Sequence, residues 1–197
     1  MRKKITAAVV GLGLGGAAMF LTGGSAQGHG FSTDPSSRQA NCADGKVSDC
    51  GAIENEPQSV EGPKGFPEKG PEDGTICAGG NDSFKELDDP RGGDWPTTEL
   101  KAGADHTFKW SMTARHSTTD FQFYVTKDGW DPSKKLTRDD LEPKPFLTVD
   151  MKGEQPPAEW TGEGKLPEGK SGQHIILGVW NIADTANAFY SCSDVKF

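Results

Sequence analysis

The chain reads DHTFKWSMT from Asp105 to Thr113, and large residues alternate with small or polar ones throughout this stretch. A period of two is that of a β-strand, whose successive side chains point to opposite faces of a sheet. Residues 119–126 repeat the alternation with Phe121, Phe123 and Val125. The pattern predicts two strands, each with a buried face.

Three later stretches also read as strands. Residues 174–182 are almost continuously apolar, as expected of a strand that is covered on both faces, and residues 146–151 and 188–197 are further strands. Turn signals between the strands are spaced as antiparallel connections require. They are Lys127-Asp128-Gly129, Gln155-Pro156-Pro157 and Pro167-Glu168-Gly169. The sequence therefore predicts an all-β fold, a β-sandwich.

The first 28 residues have the features of a secretory signal peptide. Cations at positions 2–4 precede an apolar run over residues 5–21, and the small residues Ala26 and Gly28 suit cleavage before His29. A membrane anchor is the alternative, but the apolar run is rich in Gly and Ala and lies at the N-terminus. We expect a secreted, extracellular protein whose single mature domain spans residues 29–197.

Residues 34–103 differ from the rest of the mature chain. They hold many Pro, Gly, Asp and Glu residues and show little periodicity. A segment of this length exceeds an ordinary loop and is typical of a functional insertion. We expect short helices and loops there, held in place by cysteines.

The charge of the mature chain argues against a nucleic-acid partner. Of 21 Lys and Arg residues three lie in the leader, which leaves 18 against 29 Asp and Glu, a net charge of −11. Nucleic-acid binding depends largely on Lys and Arg that neutralise phosphates. A neutral partner remains open, and no second hydrophobic span follows the leader to indicate a membrane partner.

The four cysteines all follow the predicted cleavage site. In an exported protein two disulfides are expected rather than metal thiolates, and no C-x-x-C pattern favours zinc. Four cysteines allow three pairings. Spacing favours Cys42 with Cys50 as a local loop, which leaves Cys77 to reach Cys192 across the fold.

Cleavage before His29 would create a metal-binding amino terminus. The free α-amine and the imidazole of His29 can chelate one metal together, with a second imidazole from elsewhere. An α-amino group and an imidazole can both be neutral donors close to physiological pH. Three nitrogens in a planar arrangement suit copper, whereas zinc prefers a tetrahedral set. Cleavage after Ala26 instead would block the amine.

Four ordered stretches carry a family resemblance. They are His29-Gly30-Phe31 with Pro35-Ser36-Ser37-Arg38, then NEPQSVEG from Asn55 to Gly62, then Thr113-Ala114-Arg115-His116, and finally WNIADTANAFY from Trp180 to Tyr190. With them the sequence resembles the bacterial lytic polysaccharide monooxygenases of auxiliary activity family ten, formerly classed as chitin-binding proteins. The matching stretches span nearly the whole mature chain.

The resemblance implies both a fold and a copper site. The fold would be an immunoglobulin-like or fibronectin-III-like sandwich with the long insertion after the first strand. Copper would be bound by His29 and His116 in a histidine brace. Phe189 matches the aromatic residue beside the copper axis, Ala114 matches the methyl group on the opposite side, and Glu61 matches a nearby carboxylate.

The resemblance also implies the reaction. An external electron donor and hydrogen peroxide or dioxygen would support removal of hydrogen from a glycosidic carbon of crystalline chitin. Hydroxylation of that carbon breaks the chain without hydrolysis, and attack at the first sugar carbon gives an aldonic acid. The protein would act as a monomer alongside chitinases.

Six residues of the matching stretches are expected to contact substrate: Asn55, Glu56, Gln58, Thr113, Asp184 and Asn187. Asp184 and Asn187 could equally be turn residues that bond their own backbone. Asn55 departs from the family pattern, because many chitin-active relatives carry an aromatic ring there that stacks on a sugar face. Arg115 replaces a proline common in that set. Activity on cellulose is therefore the alternative.

Other residues have structural interpretations, and other function classes remain. His106 and His174 lie in strand patterns outside the matching context, so we interpret them as structural. Trp180 is interpreted as buried packing, with a role in electron transfer as the alternative. A non-catalytic chitin-binding or adhesion protein would need no copper, and a hydrolase would release reducing sugars without reductant.

Overall fold

The computed structural model describes residues 28–197, so the predicted signal peptide lies outside the described residues except for Gly28. Within the described range, no helix has the length and apolar character needed to cross a membrane. The same range contains one α-helix, four short 3₁₀ segments and nine strands. The helix is α1 (Arg38–Ala43) and the strands are β1 (His29–Asp34), β2 (Glu61–Pro63), β3 (Thr98–Glu99), β4 (Asp105–Ala114), β5 (Thr118–Val125), β6 (Leu147–Asp150), β7 (Glu159–Lys165), β8 (Gln173–Ile182) and β9 (Asn187–Lys196). The 3₁₀ segments are Gly51–Glu54, Asp82–Asp88, Arg91–Gly93 and Arg138–Asp140.

The strands form two sheets, which confirms the predicted β-sandwich. One sheet has the order β1-β4-β7, and the other has the order β2-β9-β8-β5-β6 with β3 paired to β9. The pairing of β3 with β9 is parallel and the other ladders are antiparallel. The predicted insertion runs from the end of β1 to the start of β4 and contains α1, three 3₁₀ segments, β2 and β3.

The main core lies between the two sheets. Phe108, Trp110 and Met112 of β4 are buried against Phe121 and Phe123 of β5, as the period-two pattern predicts. Aromatic rings dominate this core, since the rings of Trp110 and Phe121 lie 5.6 Å apart, centroid to centroid. Burial of such large apolar side chains is the main driving force for closing the sandwich.

A second core covers the opposite face of the six-stranded sheet. Along β8, Ile175, Leu177 and Val179 pack with the insertion, whereas Ile176 and Trp180 pack into the main core. The strand is thus buried on both faces, which explains its continuous apolar sequence.

Two disulfides tie the insertion together, and both predicted pairings are confirmed. Cys42 is bonded to Cys50 across a sequence separation of 8, and Cys77 is bonded to Cys192 across a separation of 115. The second bond joins the insertion to β9, beside the centre of the six-stranded sheet.

The sequence pattern missed β7, which reads EWTGEGK. Only Trp160 is a large apolar residue in this strand, because glycines occupy the inward positions 162 and 164. A side chain at Gly162 would collide with the Trp160 ring, and one at Gly164 would collide with Leu147. The neighbours fill the space, so the strand needs no apolar alternation of its own.

Candidate metal centre

The first predicted ligand lies at the start of a strand. His29 opens β1, and in the register of β1 with β4 its Cα partner is Ala114. The antiparallel ladder therefore brings the start of β1 to the end of β4. The imidazole of His29 is half-buried, and its ring centroid lies 6.3 Å from that of Phe189.

The second predicted ligand follows two residues after Ala114. His116 lies in the turn between β4 and β5, where its side chain is buried. A Cβ atom at Gly28, the residue before His29, would lie 3.4 Å from the Cβ of His116 and 3.2 Å from Cε2 of Phe189. The structure thus brings together the segments that carry His29, Ala114, His116 and Phe189.

Glu61 reaches the same region from the insertion. It begins β2, and its Cα partner in β9 is Phe189. Its Oε1 atom accepts a hydrogen bond of 2.7 Å from Nδ2 of Asn187. Gly62 is needed next to it, because a Cβ atom there would collide with the carbonyl oxygen of Gly79.

The polar surroundings of His116 fit a metal ligand. Oδ1 of Asp184 lies 2.9 Å from Nδ1 of His116, out of line for a hydrogen bond. The other ring nitrogen, Nε2, makes no hydrogen bond to the part of the chain that the structure describes. A metal-bound histidine usually donates its other ring N–H to a carboxylate, which orients the ring. Asp184 lies within reach of Nδ1 for such a bond, but the bond is not formed in the structure.

The nitrogen donors that His29 and His116 can supply fit copper, but they need the His29 amine in addition to the two side chains. Across residues 28–197, no group of three or more His, Cys, Asp and Glu side chains is placed to hold a metal. A site at His29 and His116 therefore depends on the His29 amine as the third donor, which exists only after cleavage before His29. Two imidazoles and an amine are nitrogen ligands that copper binds more tightly than other divalent metals of its row.

The residues expected to contact substrate lie at different depths around these histidines. Asn55 and Glu56 are exposed and follow the first 3₁₀ segment of the insertion. The carbonyl of Gln58 accepts a bond of 3.0 Å from the amide of Gly30. Thr113 is exposed beside Ala114, and Asp184 is also exposed. The structure links Gln58, Asp184 and Asn187 to the site through these contacts, but it shows no such contact for the side chains of Asn55 and Glu56.

Sequence reasoning missed residues that hold the rim of the site in place. The Nζ atom of Lys64 donates to the carbonyl of Ile182, and its amide donates to that of Ala186 at 2.9 Å. Nε2 of Gln155 donates to the carbonyl of Arg115 at 2.9 Å. These bonds join loops that are distant in sequence, so no local pattern reveals them.

Comparisons with known proteins extend this description. The sequence model of the family described as "lytic polysaccharide mono-oxygenase, cellulose-degrading" matches residues 29–195. An AA10 family lytic polysaccharide monooxygenase C of Mycosarcoma maydis is 45% identical over 172 residues, which cover 86% of this chain and 52% of the relative. A GlcNAc-binding protein A of Shewanella oneidensis is 40% identical over 173 residues, 88% of this chain and 36% of that protein. The chain thus spans between about a third and about half of the length of these relatives.

Solved structures share the fold over the same part of the chain. An AA10 lytic polysaccharide monooxygenase from Streptomyces lividans is similar with a TM-score of 0.84 and 56% identity, over 86% of this chain and 100% of that one. A CBM33 protein of Bacillus amyloliquefaciens, solved in complex with Cu(I), has a TM-score of 0.78 and 38% identity, over 85% of this chain and 99% of that one. With a family match across almost the whole of residues 29–197, the chain belongs to the AA10 lytic polysaccharide monooxygenases.

Proposed function

We propose that the exported chain is a copper-dependent monooxygenase that cleaves glycosidic bonds in crystalline chitin by oxidation at the first sugar carbon. The observation that carries this proposal is the pairing of His29 with Ala114, two residues before His116, at the ends of β1 and β4, with the Phe189 ring centroid 6.3 Å from that of His29. Family membership supports oxidation of an insoluble polysaccharide. The relative named for binding GlcNAc supports chitin, because chitin is a polymer of that sugar.

The amine and ring of His29 and the ring of His116 would hold copper. Bound copper supplies the one-electron chemistry that uses an external electron donor with hydrogen peroxide or dioxygen. The ring of Phe189 lies 6.3 Å from that of His29, centroid to centroid, and Ala114 is the Cα partner of His29 in β4. Apolar groups at these places would keep water and additional ligands away from the nitrogen donors.

Glu61 and Asn187 would serve the co-substrate. Nδ2 of Asn187 donates to Oε1 of Glu61 and so fixes the direction of the carboxylate. The second oxygen, Oε2, would then orient a peroxide molecule or hold a proton during the reaction. Hydrolysis would need a pair of carboxyl groups as acid and nucleophile, and the family to which the chain belongs supports no such pair.

The overall reaction balances without hydrolysis of the glycosidic bond. Hydrogen peroxide converts the C–H group to C–OH and is itself reduced to water. With dioxygen, the same product requires two electrons from the external donor and two protons. The hydroxylated carbon then expels the glycosidic oxygen as an alcohol, and water opens the resulting lactone to an aldonic acid.

We propose that the exposed surface around the histidines contacts the face of a crystalline polymer. Four surface pockets of 170 to 580 Å³ are lined by residues 42–90 and Lys135, and neither His29 nor His116 lines any of the four. Exposed polar groups at Asn55, Glu56 and Thr113 would contact a crystalline face. We propose that the protein does so as a monomer and opens the polymer for chitinases.

The test is the product spectrum of the exported protein. We expect the intact mass to begin at His29, and we expect mass spectrometry to detect oxidised chito-oligosaccharides from β-chitin when copper and ascorbate are present. In His116→Ala these products should fall to the level of a sample without reductant. The matched control is His106→Ala, because His106 lies beside Asp34, away from the site, and should leave the products unchanged.

The alternatives give different products. Oxidised products from cellulose but not from chitin would show that the substrate is cellulose, in line with the family description. Reducing sugars formed without reductant would indicate a hydrolase. Binding to chitin that needs neither histidine, without oxidised products, would make the chain a binding protein, as the name of the GlcNAc-binding relative suggests for that protein.

A further inference from the structure

A chain of hydrogen bonds reaches the backbone of His116 from the core. Nε1 of Trp180 donates to Oγ1 of Thr118 at 2.7 Å, and Oγ1 of Thr118 donates to the carbonyl oxygen of His116 at 2.9 Å. Trp180 and Thr118 have no exposed surface, and His116 is 7% exposed. The three residues come from β8, β5 and the turn before β5.

Chemistry sets the direction of both bonds. An indole N–H group is a donor only, so the Thr118 hydroxyl must accept from Trp180. The single proton of that hydroxyl is then committed to the His116 carbonyl. Each group is buried, so the loss of any one of them leaves an unsatisfied partner in the core.

The indole ring of Trp180 also contacts the strand that carries His29. A Cβ atom at Gly30 would lie 3.3 Å from Cζ3 of Trp180, and one at Gly28 would lie 3.2 Å from its Cη2. The ring therefore packs against both neighbours of His29 in the chain. The ring also packs on Phe189, with ring centroids 5.0 Å apart.

Trp180 thus packs against the segment that carries His29, and hydrogen bonds through Thr118 link it to His116. Neighbouring bonds hold the rest of the turn, since the amide of Ala183 donates to the carbonyl of Ser117 at 2.8 Å and that of Thr118 donates to Glu154 at 3.0 Å. The Thr118 hydroxyl acts on His116 itself.

We propose that Thr118 and Trp180 are positioning residues that set the separation and orientation of His29 and His116. The inference rests on the proposed copper site. It gives the chain of hydrogen bonds from Trp180 through Thr118 to His116 a role beyond packing. Outer groups that orient metal ligands affect metal affinity about 10- to 100-fold when removed.

The experiment uses the exported protein and its Cu(II) complex. Thr118→Val keeps the shape of the side chain and removes the hydroxyl, whereas Trp180→Phe keeps an aromatic ring and removes the N–H donor. We expect both variants to bind Cu(II) about 10- to 100-fold more weakly by calorimetry. We also expect a changed electron paramagnetic resonance spectrum. Thr118→Ser restores the hydroxyl and should restore the affinity and the spectrum.

The matched control is Thr126→Val. Thr126 is another fully buried threonine, directly after the opposite end of β5, and its hydroxyl accepts a bond of 3.1 Å from the amide of Ile175. This variant should lose stability without any change in the copper spectrum. If Thr118→Val and Trp180→Phe match Thr126→Val in affinity and spectrum, the positioning role is wrong. If the unaltered protein itself binds no Cu(II) through His116, the proposed function fails as well.

Discussion

Single residues show how the surroundings of the two buried histidines differ. Nδ1 of His174 lies 2.9 Å from Oγ1 of Thr126, and its Nε2 lies 3.3 Å from the carbonyl of Ser171. Both ring nitrogens of this buried residue therefore have partners within the chain. His116 is also buried, but it has a carboxylate near Nδ1 and no hydrogen bond at Nε2 within the described residues. Of these two buried histidines, His116 is the one with a ring nitrogen, Nε2, that makes no hydrogen bond to the described residues.

The surroundings of His174 predict a pH dependence of stability. Burial, and next the charge of Lys170, lower the pKa of His174 below its ordinary value of 6.5. The unfolded chain therefore binds a proton that the folded chain does not bind, and the free energy of unfolding falls as pH drops through about 6.5 toward the lowered pKa. The carboxylate of Asp128, whose Oδ1 lies 3.9 Å from Nε2 of His174, acts to raise this pKa but does not reverse the lowering.

The variant His174→Gln, which cannot take up a proton, measures this effect. Loss of the buried hydrogen bonds should cost about 1 to 3 kcal/mol near pH 7.5. Thermal unfolding should show a smaller difference between wild type and variant near pH 5.5, because the wild type alone loses stability through this group. An equal difference at both pH values would show that the folded-state pKa of His174 is not lowered.

At the scale of elements, a buried ion pair joins α1 to β9. Arg38, the first residue of α1, donates from Nε to Oδ2 of Asp194 at 2.7 Å and from Nη2 to Oδ1 at 3.1 Å. Its Nη1 atom donates to the carbonyl of Leu87 at 2.8 Å, and the guanidinium lies 4.8 Å from the ring centroid of Trp95. The Pro35 to Arg38 stretch that carries part of the family resemblance is therefore a packing motif.

Removal of one partner should be more harmful than removal of both. Arg38→Met leaves the buried Asp194 carboxylate unpaired and should lower the free energy of unfolding by about 3 to 5 kcal/mol in chemical denaturation. The double variant Arg38→Met/Asp194→Leu should recover much of this loss. Lys46→Met is the control, because it breaks the exposed pair with Asp44 and should cost less than about 1 kcal/mol. Equal losses in the single and double variants would contradict the expectation.

At the scale of the molecule, one disulfide joins the insertion to the sandwich. The bond between Cys77 and Cys192 closes a loop of 115 residues, whereas that between Cys42 and Cys50 closes one of 8. Glu61 lies in the insertion and Phe189 lies in β9. The bond between Cys77 and Cys192 therefore connects covalently the two segments that carry these site residues.

The two disulfides should contribute unequally to stability. Loop-closure entropy predicts a contribution of about 4.7 kcal/mol for a loop of about 100 residues and less than about 3 kcal/mol for one shorter than about 15. Chemical denaturation should therefore show a larger loss for Cys77→Ala/Cys192→Ala than for Cys42→Ala/Cys50→Ala. A larger loss for the local pair would indicate that local strain or packing outweighs chain entropy.

Local patterns predicted much of the fold and part of the site. The alternation in β4 and β5 and the apolar run of β8 indicated strands, because side-chain burial follows the backbone period directly. Strand β7 was not predicted, because glycines occupy two of its inward-facing positions and leave no apolar alternation. The site residues were named from matching stretches, and those stretches carried no information on which of them touch.

The sequence by itself determined most of the strand-forming segments and the types of side chain available as copper ligands, and its spacing favoured the cysteine pairing that the structure shows. Only the tertiary structure decided that Asn187 bonds Glu61 across 126 positions and that Trp180 bonds Thr118 across 62. Such contacts depend on the register between strands that are distant in the chain. Register is set by the packing of whole faces in the core, so no short stretch of residues specifies it.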